Sequence, residues 1–220
     1  MKILLCSLIG YALGNLNPAF VIGRIKGFDI RQRGSGNAGA SNAVITMGKT
    51  VGIISALFDI FKAYLAVKLA TMLYPSFTQA GNIAGVCCVL GHIFPILMNF
   101  KGGKGLASLG GVILAFDRRV FLIMLLCELV FVLIVDYICF VPITASIIFP
   151  LLYNVLTKDR AGTMLYCVMS LVILYKHVEN IRRIRHGTEA HLSFLWKREK
   201  EIERLSEKLE TEQDETCDTE

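Results

Sequence analysis

The chain is poor in the features that mark a soluble enzyme. It has one tryptophan and five prolines in 220 residues, and only 19% of its residues are charged, against about 25% in ordinary soluble domains. Many of the 18 acidic residues fall beyond Glu199, so the body is more basic than the formal net charge of +5 suggests. That shortage of anions suits a partner carrying phosphate or anionic lipid and does not call for nucleic acid. Cys6, Cys87, Cys88, Cys127, Cys139 and Cys167 lie inside apolar runs without metal-ligand spacing. They read as small buried hydrophobes, which excludes a zinc site and a disulfide framework. Neither the P-loop nor the dinucleotide fingerprint occurs, and no repeat relates the two halves as in many transporters. No small-residue cleavage pattern follows the first apolar run, and Arg24 comes directly after it, so the run reads as a retained packed helix.

What the chain has in plenty is hydrocarbon: 54% of its residues are hydrophobic and the mean hydropathy is +0.57. With about 20 apolar residues needed to cross a bilayer, seven spans are expected, at 3–23, 51–74, 80–98, 105–116, 120–136, 138–156 and 161–176. The fold class is therefore an all-α integral membrane protein, a seven-transmembrane-helix bundle surrounded by membrane lipids. Arg24, Lys26, Arg31, Arg33 and Lys49 fall in the first loop, Lys101 and Lys104 in the third, and Lys176, Arg182, Arg183 and Arg185 after the last span. The positive-inside rule then sets the N-terminus outside and the C-terminus in the cytoplasm, as a multi-pass protein of the cell membrane. Residues 1–189 form the membrane domain and 190–220 a charged tail, with a surface helix at 197–209 and disorder over 211–220.

Three polar segments interrupt the apolar chain. In the first, Arg33 is followed by Gly34, Ser35, Gly36, Asn37, Gly39, Ser41 and Asn42, a composition that lets successive backbone N–H groups converge on phosphate oxygens. The same composition serves a plain helix connector. In the second, Lys101, Gly102, Gly103, Lys104 and Gly105 precede a short span, where helix-terminal N–H groups and lysines attract anions; lysines also snorkel at such ends without a ligand. The third carries His177, Glu179, Asn180, Arg182 and Arg183. If the last helix persists, His177 and Asn180 share a face, with His177 as a general base. Arginines there equally hold lipid headgroups. Asp59 and Lys62, three apart in one span, are expected to pair, and His92 near the end of the third span reads as structural.

The ordered set Gly23–Arg31, Gly34–Asn42, Gly91–Pro95, Phe100–Gly105 and His177–Arg183 resembles the bacterial acyl-phosphate:glycerol-3-phosphate acyltransferases, the PlsY family, over residues 1 to about 189. The resemblance implies transfer of a fatty acyl group from acyl phosphate to the 1-hydroxyl of glycerol 3-phosphate, with no metal, nucleotide or other cofactor, by a monomer. It implies Lys104, His177, Asn180 and Ser35 as catalytic residues. Arg33, Gly34, Gly36, Asn37, Gly39, Ser41, Asn42, Lys101, Gly102, Gly103, Gly105 and Glu179 would bind substrate. Two departures stand out: Ile45 replaces an expected arginine, and Cys139-Phe140-Val141-Pro142 stands where Arg-Tyr-x-Ser is usual, with Thr144 as a candidate replacement for the hydroxyl. A divergent paralogue with another acyl acceptor, or a phosphate- or lipid-binding transporter, are the alternatives.

Overall fold

The computed structural model describes residues 1–189, 191–195 and 204. The expected surface helix at 197–209, Arg204 apart, and the expected disorder at 211–220 lie outside them. Among the described residues all regular structure is helical. The α-helices are α1 (Lys2–Gly14), α2 (Pro18–Ile25), α3 (Ala40–Met47), α4 (Lys49–Leu73), α5 (Ala80–Ile93), α6 (Leu106–Phe116), α7 (Arg118–Val135), α8 (Phe140–Thr157) and α9 (Arg160–His186). Five segments are long and apolar enough to cross a membrane, namely Lys2–Ile25, Lys49–Leu73, Ala80–Met98, Phe140–Thr157 and Arg160–His186, and Leu106–Phe116 is apolar but shorter. This is an all-helical integral membrane architecture, with Leu122, Ile123, Leu126, Leu133 and Ile134 of α7 exposed on its outside.

The first span is not the single helix expected over 3–23. Pro18 occupies the first turn of a new helix, and the Asn17 side chain caps it by accepting from the Phe20 N–H at 2.9 Å. The break frees backbone carbonyls that hydrocarbon cannot satisfy. Lys62 Nζ donates to two of them, Gly14 O at 3.1 Å and Leu16 O at 2.6 Å. The same ammonium pairs with Asp59 Oδ1 at 2.6 Å and lies 3.1 Å from His92 Nδ1. The expected Asp59–Lys62 pair therefore forms, fully buried, and it joins α4, α5 and the α1–α2 break. Higher up, α1 meets α5 across glycines: a Cβ at Gly91 would lie 2.6 Å from the Tyr11 carbonyl oxygen, the close approach that membrane helices gain from small residues.

Two other boundaries differ from expectation. Helix α5 stops at Ile93 because Pro95 has no N–H and disfavours helical geometry at Phe94; a 3-10 turn over Ile96–Met98 completes the expected 80–98 segment. Helix α9 continues past 176 to His186, started by Asp159, which accepts from the Gly162 N–H, and ended by Gly187 at φ +72°. Arg183, Arg185 and His186 in its last turn favour that end. The core joins Leu109 of α6, Phe149 of α8 and Tyr166, Met169 and Ile173 of α9, all 2% exposed or less. At one end Asp159 Oδ2 accepts from Gln79 Nε2 and from the Tyr153 hydroxyl; the polar segments gather at the other.

Candidate active site

The first polar segment is organised from inside by Asn42, which is completely buried at the start of α3. Its Oδ1 accepts from the Ser35 N–H at 2.9 Å, and its Nδ2 lies 3.0, 3.0 and 2.7 Å from the carbonyls of Ile30, Arg33 and Asn37. The Gly39 N–H donates to Asn37 Oδ1, the Gly36 N–H to Arg33 O and the Ala38 N–H to Gly102 O. Four of the amides expected to meet phosphate are thus engaged within the protein. What the loop presents is side chains, the Ser35 hydroxyl and the Asn37 amide, held together at 3.1 Å. Ser41 is exposed, and Arg33 stacks over the Phe28 ring at 4.0 Å.

Just upstream, Arg31 grips Asp29 with Nε at 2.9 Å and a terminal nitrogen at 2.7 Å, and its other terminal nitrogen donates to Met98 O at 2.6 Å. The two-pronged contact is the strong form of such pairs. It holds the Asp29 carboxyl down at about 2, so Asp29 stays anionic and anchors the guanidinium. The Met98 bond ties the first segment to the second.

In the second segment both glycines serve close packing. The Gly102 N–H donates to Ile93 O and the Gly103 N–H to His92 O, both at 3.1 Å. A Cβ on Gly102 would meet the His92 carbonyl oxygen, and one on Gly103 the His92 imidazole. Asn99 and Phe100 both adopt positive φ, 52° and 58°, a conformation uncommon for residues with side chains. Ile96, Leu97 and Phe100 are exposed, while Asn99 and Lys101 line a cavity.

That cavity, about 660 Å³, is where the three segments meet. Asp29, Arg31, Gln32, Ser35, Gly36 and Asn37 come from the first, Asn99, Lys101, Gly102 and Lys104 from the second, and Lys176, Glu179 and Arg183 from α9. Among the described lining residues, Arg31, Lys101, Lys104, Lys176 and Arg183 thus face one space opposed by Asp29 and Glu179. Lys104 donates to Asn180 Oδ1. Burial lowers its pKa to about 8, helped by the nearby Arg183 and opposed by Glu189. Asn180 Nδ2 donates to Glu189 Oε1 at 2.6 Å. His177 is buried with Nδ1 2.8 Å from Ile173 O, which makes Nδ1 the protonated nitrogen; it does not line the cavity.

A basic cavity between apolar helices now has relatives to set beside it. The sequence model described as glycerol-3-phosphate acyltransferase matches residues 4–187. The chain belongs to the glycerol-3-phosphate acyltransferase family. Glycerol-3-phosphate acyltransferase of Bacillus subtilis is 32% identical over 196 residues, covering 89% of this chain and 100% of the relative. That of Finegoldia magna is 35% identical, covering 87% and 97%. The crystal structure of PlsY, an integral membrane glycerol 3-phosphate acyltransferase, in its glycerol 3-phosphate form superposes with a TM-score of 0.82 at 32% identity, over 89% of this chain and 98% of that one. The lysophosphatidic acid form gives 0.78 at 31% identity. Membership of the acyltransferase family makes the chain an enzyme of phospholipid synthesis.

Within this acyltransferase the structure brings Ser35, Gly36, Asn37, Lys101, Gly102, Lys104 and Glu179 to the cavity. It leaves Arg33, Gly34, Gly39, Ser41, Asn42, Gly103, Gly105, His177 and Asn180 behind or beside its wall. Sequence reading missed Asp29, Arg31 and Gln32 as cavity residues, although the Asp-Ile-Arg spacing was the available signal, and Asn99 and Lys176, which carried none. Ile45 is half-buried on α3 away from the lining, and Cys139 is buried at the start of α8. Thr144 does not supply the missing hydroxyl to the cavity, because it donates to Glu128 at 2.8 Å.

Proposed function

We propose that this acyltransferase takes its acyl group from acyl phosphate and places it on the 1-hydroxyl of glycerol 3-phosphate, yielding 1-acyl-sn-glycerol 3-phosphate and phosphate. The observation that carries the reading is the cavity with five cationic side chains, room and charge for two phosphates, at the end of an apolar bundle. An acyl phosphate already has a good leaving group, so the site positions and neutralises rather than generating a strong nucleophile. The 1-hydroxyl oxygen attacks the acyl carbon, the bond from that carbon to the phosphate oxygen breaks, and its electron pair leaves with phosphate. Lys104 neutralises charge on the transferring group. Arg31 and Lys101, with the Ser35 hydroxyl and Asn37, hold one phosphate, and Lys176 and Arg183 the other. The departing phosphate takes the hydroxyl proton, His177 lying outside the cavity lining; His177 and Asn180 shape the wall behind it. Glu179 and the backbone of Gly36 and Gly102 complete it.

The same reading assigns seven crossings by the α1–α2 pair, α4, α5, α6, α7, α8 and α9. It sets the N-terminus outside, the C-terminus and cavity in the cytoplasm, residues 1–189 as the catalytic domain and 190–220 as a charged tail, in a monomer of the cell membrane. Its support is parity: the cavity draws on the connection before α4, the α5–α6 connection and the end of α9, which requires two crossings between the first pair and four between the second. Loop charge supplies the sign. Purified protein in lipid nanodiscs, given acyl phosphate and glycerol 3-phosphate, is expected to release phosphate and form the lysolipid. Turnover no higher than in Lys104→Ala would sink the reading and leave a lipid-binding protein. An acceptor screen with other phosphorylated polyols tests the acceptor.

A further inference from the structure

Glu189 lies beyond the family match, which ends at 187, yet its carboxylate reaches the back of the site. Gly187, at φ +72°, turns the chain sharply out of α9. The amides of Gly187, Thr188 and Glu189 all donate to Arg183 O, the bonding of a glycine-ended helix that folds its continuation back along itself. Arg204 donates to the carbonyls of Gly187 and Glu189 at 2.6 and 2.8 Å. The result is a buried Glu189 side chain, 8% exposed, with Oε1 receiving Asn180 Nδ2 at 2.6 Å and Oε2 3.3 Å from Arg183 Nε.

A side-chain amide has one donating and one accepting end, whereas an ionised carboxylate only accepts. Glu189 therefore draws the NH2 of Asn180 toward itself and turns Oδ1 toward Lys104, whose ammonium can only donate. With the amide reversed, two donors would face each other at Lys104 and two acceptors at Glu189. We infer that Glu189 is a positioning residue for acyl transfer, fixing the Asn180 amide so that its oxygen holds the Lys104 ammonium at the cavity. The inference rests on the role given to Lys104 above. The charged and titratable groups acting on Lys104 are Arg183 and Lys176 of α9, Cys139 at the start of α8, and Glu189 itself. Glu189 is the carboxylate among them, and its charge opposes the lowering that burial imposes on Lys104.

The test exchanges donor and acceptor. In Asn180→Asp the two carboxylates face each other, and turnover is expected to fall more than tenfold. In Asn180→Asp/Glu189→Gln the glutamine NH2 donates to the new carboxylate, whose other oxygen still accepts from Lys104. Turnover is expected to recover at least fivefold over the single variant. Glu189→Gln alone keeps an oxygen that accepts from Asn180 but turns its NH2 toward Arg183 Nε, so its turnover falls less than that of Glu189→Ala while its alkaline limb moves to lower pH. Glu189→Ala loses both and falls more than tenfold in kcat with a smaller change in KM. All four are measured by phosphate release in nanodiscs, with thermal unfolding alongside. Wild-type kcat and pH profile in Glu189→Ala, or a double variant no better than Asn180→Asp, overturns the inference. Should Glu189→Ala fail to fold, the exchange pair decides. An inactive wild-type protein instead counts against the proposed reaction.

Discussion

Replacing Gly102 by alanine adds one methyl group to a place without room. Its Cβ would lie 2.6 Å from Pro95 Cδ and 3.0 Å from Ile93 O, and closer still to His92 O. The two carbonyls belong to the end of α5 and the proline ring lies just beyond it, all three residues buried, so the loop carrying Lys101 and Lys104 must move away. Overpacking of this kind costs about 1–3 kcal/mol. The bonds from Gly102 to Ile93 O and from Gly103 to His92 O add about 1 kcal/mol each if they are lost. A shift of about 1 Å in a positioned catalytic group costs on the order of a hundredfold in rate, so activity is expected to suffer more than folding. The assay is phosphate release at saturating substrates, with thermal unfolding measured on the same preparation. Gly110→Ala is the control, because its Cβ would find nothing nearer than 3.5 Å. Gly102→Ala retaining turnover within twofold of wild type at an unchanged unfolding temperature would refute the claim that the glycine pair sets the position of Lys104.

Activity is expected to decline above about pH 8, because the Lys104 cation is present below its lowered pKa and lost above it; a rate still level at pH 10 contradicts this. Lys104→Ala is expected to lose about a hundredfold or more in kcat, in line with removal of a group aimed at transition-state charge. Arg31→Ala removes a phosphate-facing cation and leaves Asp29 only its longer pair with Arg24 at 3.8 Å, so KM for glycerol 3-phosphate should rise about tenfold or more, one charge-assisted bond being worth about 1.5–3 kcal/mol; an unchanged KM places the phosphate elsewhere. Lys62→Met leaves Asp59 only His92 Nδ1 at 3.3 Å and strands the freed carbonyls of Gly14 and Leu16. Breaking such a buried pair costs about 3–5 kcal/mol, visible as a marked fall in unfolding temperature that a wild-type melting curve would contradict.

The helices were largely legible because hydropathy and helix length are set by the same hydrocarbon slab: α4, α6, α7 and α8 begin and end within a few residues of expectation. The α1–α2 break was written in Asn17 and Pro18, but its cause lies in the partner that accepts it, Lys62, which is far away in the chain. The site was legible as three segments and illegible in its working parts. Glycines in the first and second segments read as phosphate donors, whereas the N–H groups of Gly36, Gly39, Gly102 and Gly103 end on Arg33, Asn37, Ile93 and His92 within the fold. Composition reports that a backbone can come close; it does not say to what. Arg33 and Arg31 are equivalent in a string, and only the bond from Arg31 to Met98 O and the ring beneath Arg33 separate them. That Ile45 falls outside the cavity lining is likewise set by where α3 packs, which the string does not show.

The turn over Ile96–Met98 and the two left-handed residues after it have a consequence for where the reaction stands in the bilayer. Over six positions the backbone sends Ile96, Leu97 and Phe100 outward and Asn99 and Lys101 to the cavity. Apolar side chains favour hydrocarbon and polar ones water, and in the proposed topology that split would hold the loop at the membrane's waterline. A lipid phosphate at that boundary would then reach the cavity without leaving the membrane, and a soluble phosphate would reach it from the water side. Changing acyl-chain length or lateral pressure of the host bilayer then moves the waterline, and with it the height of Lys104 relative to an arriving headgroup.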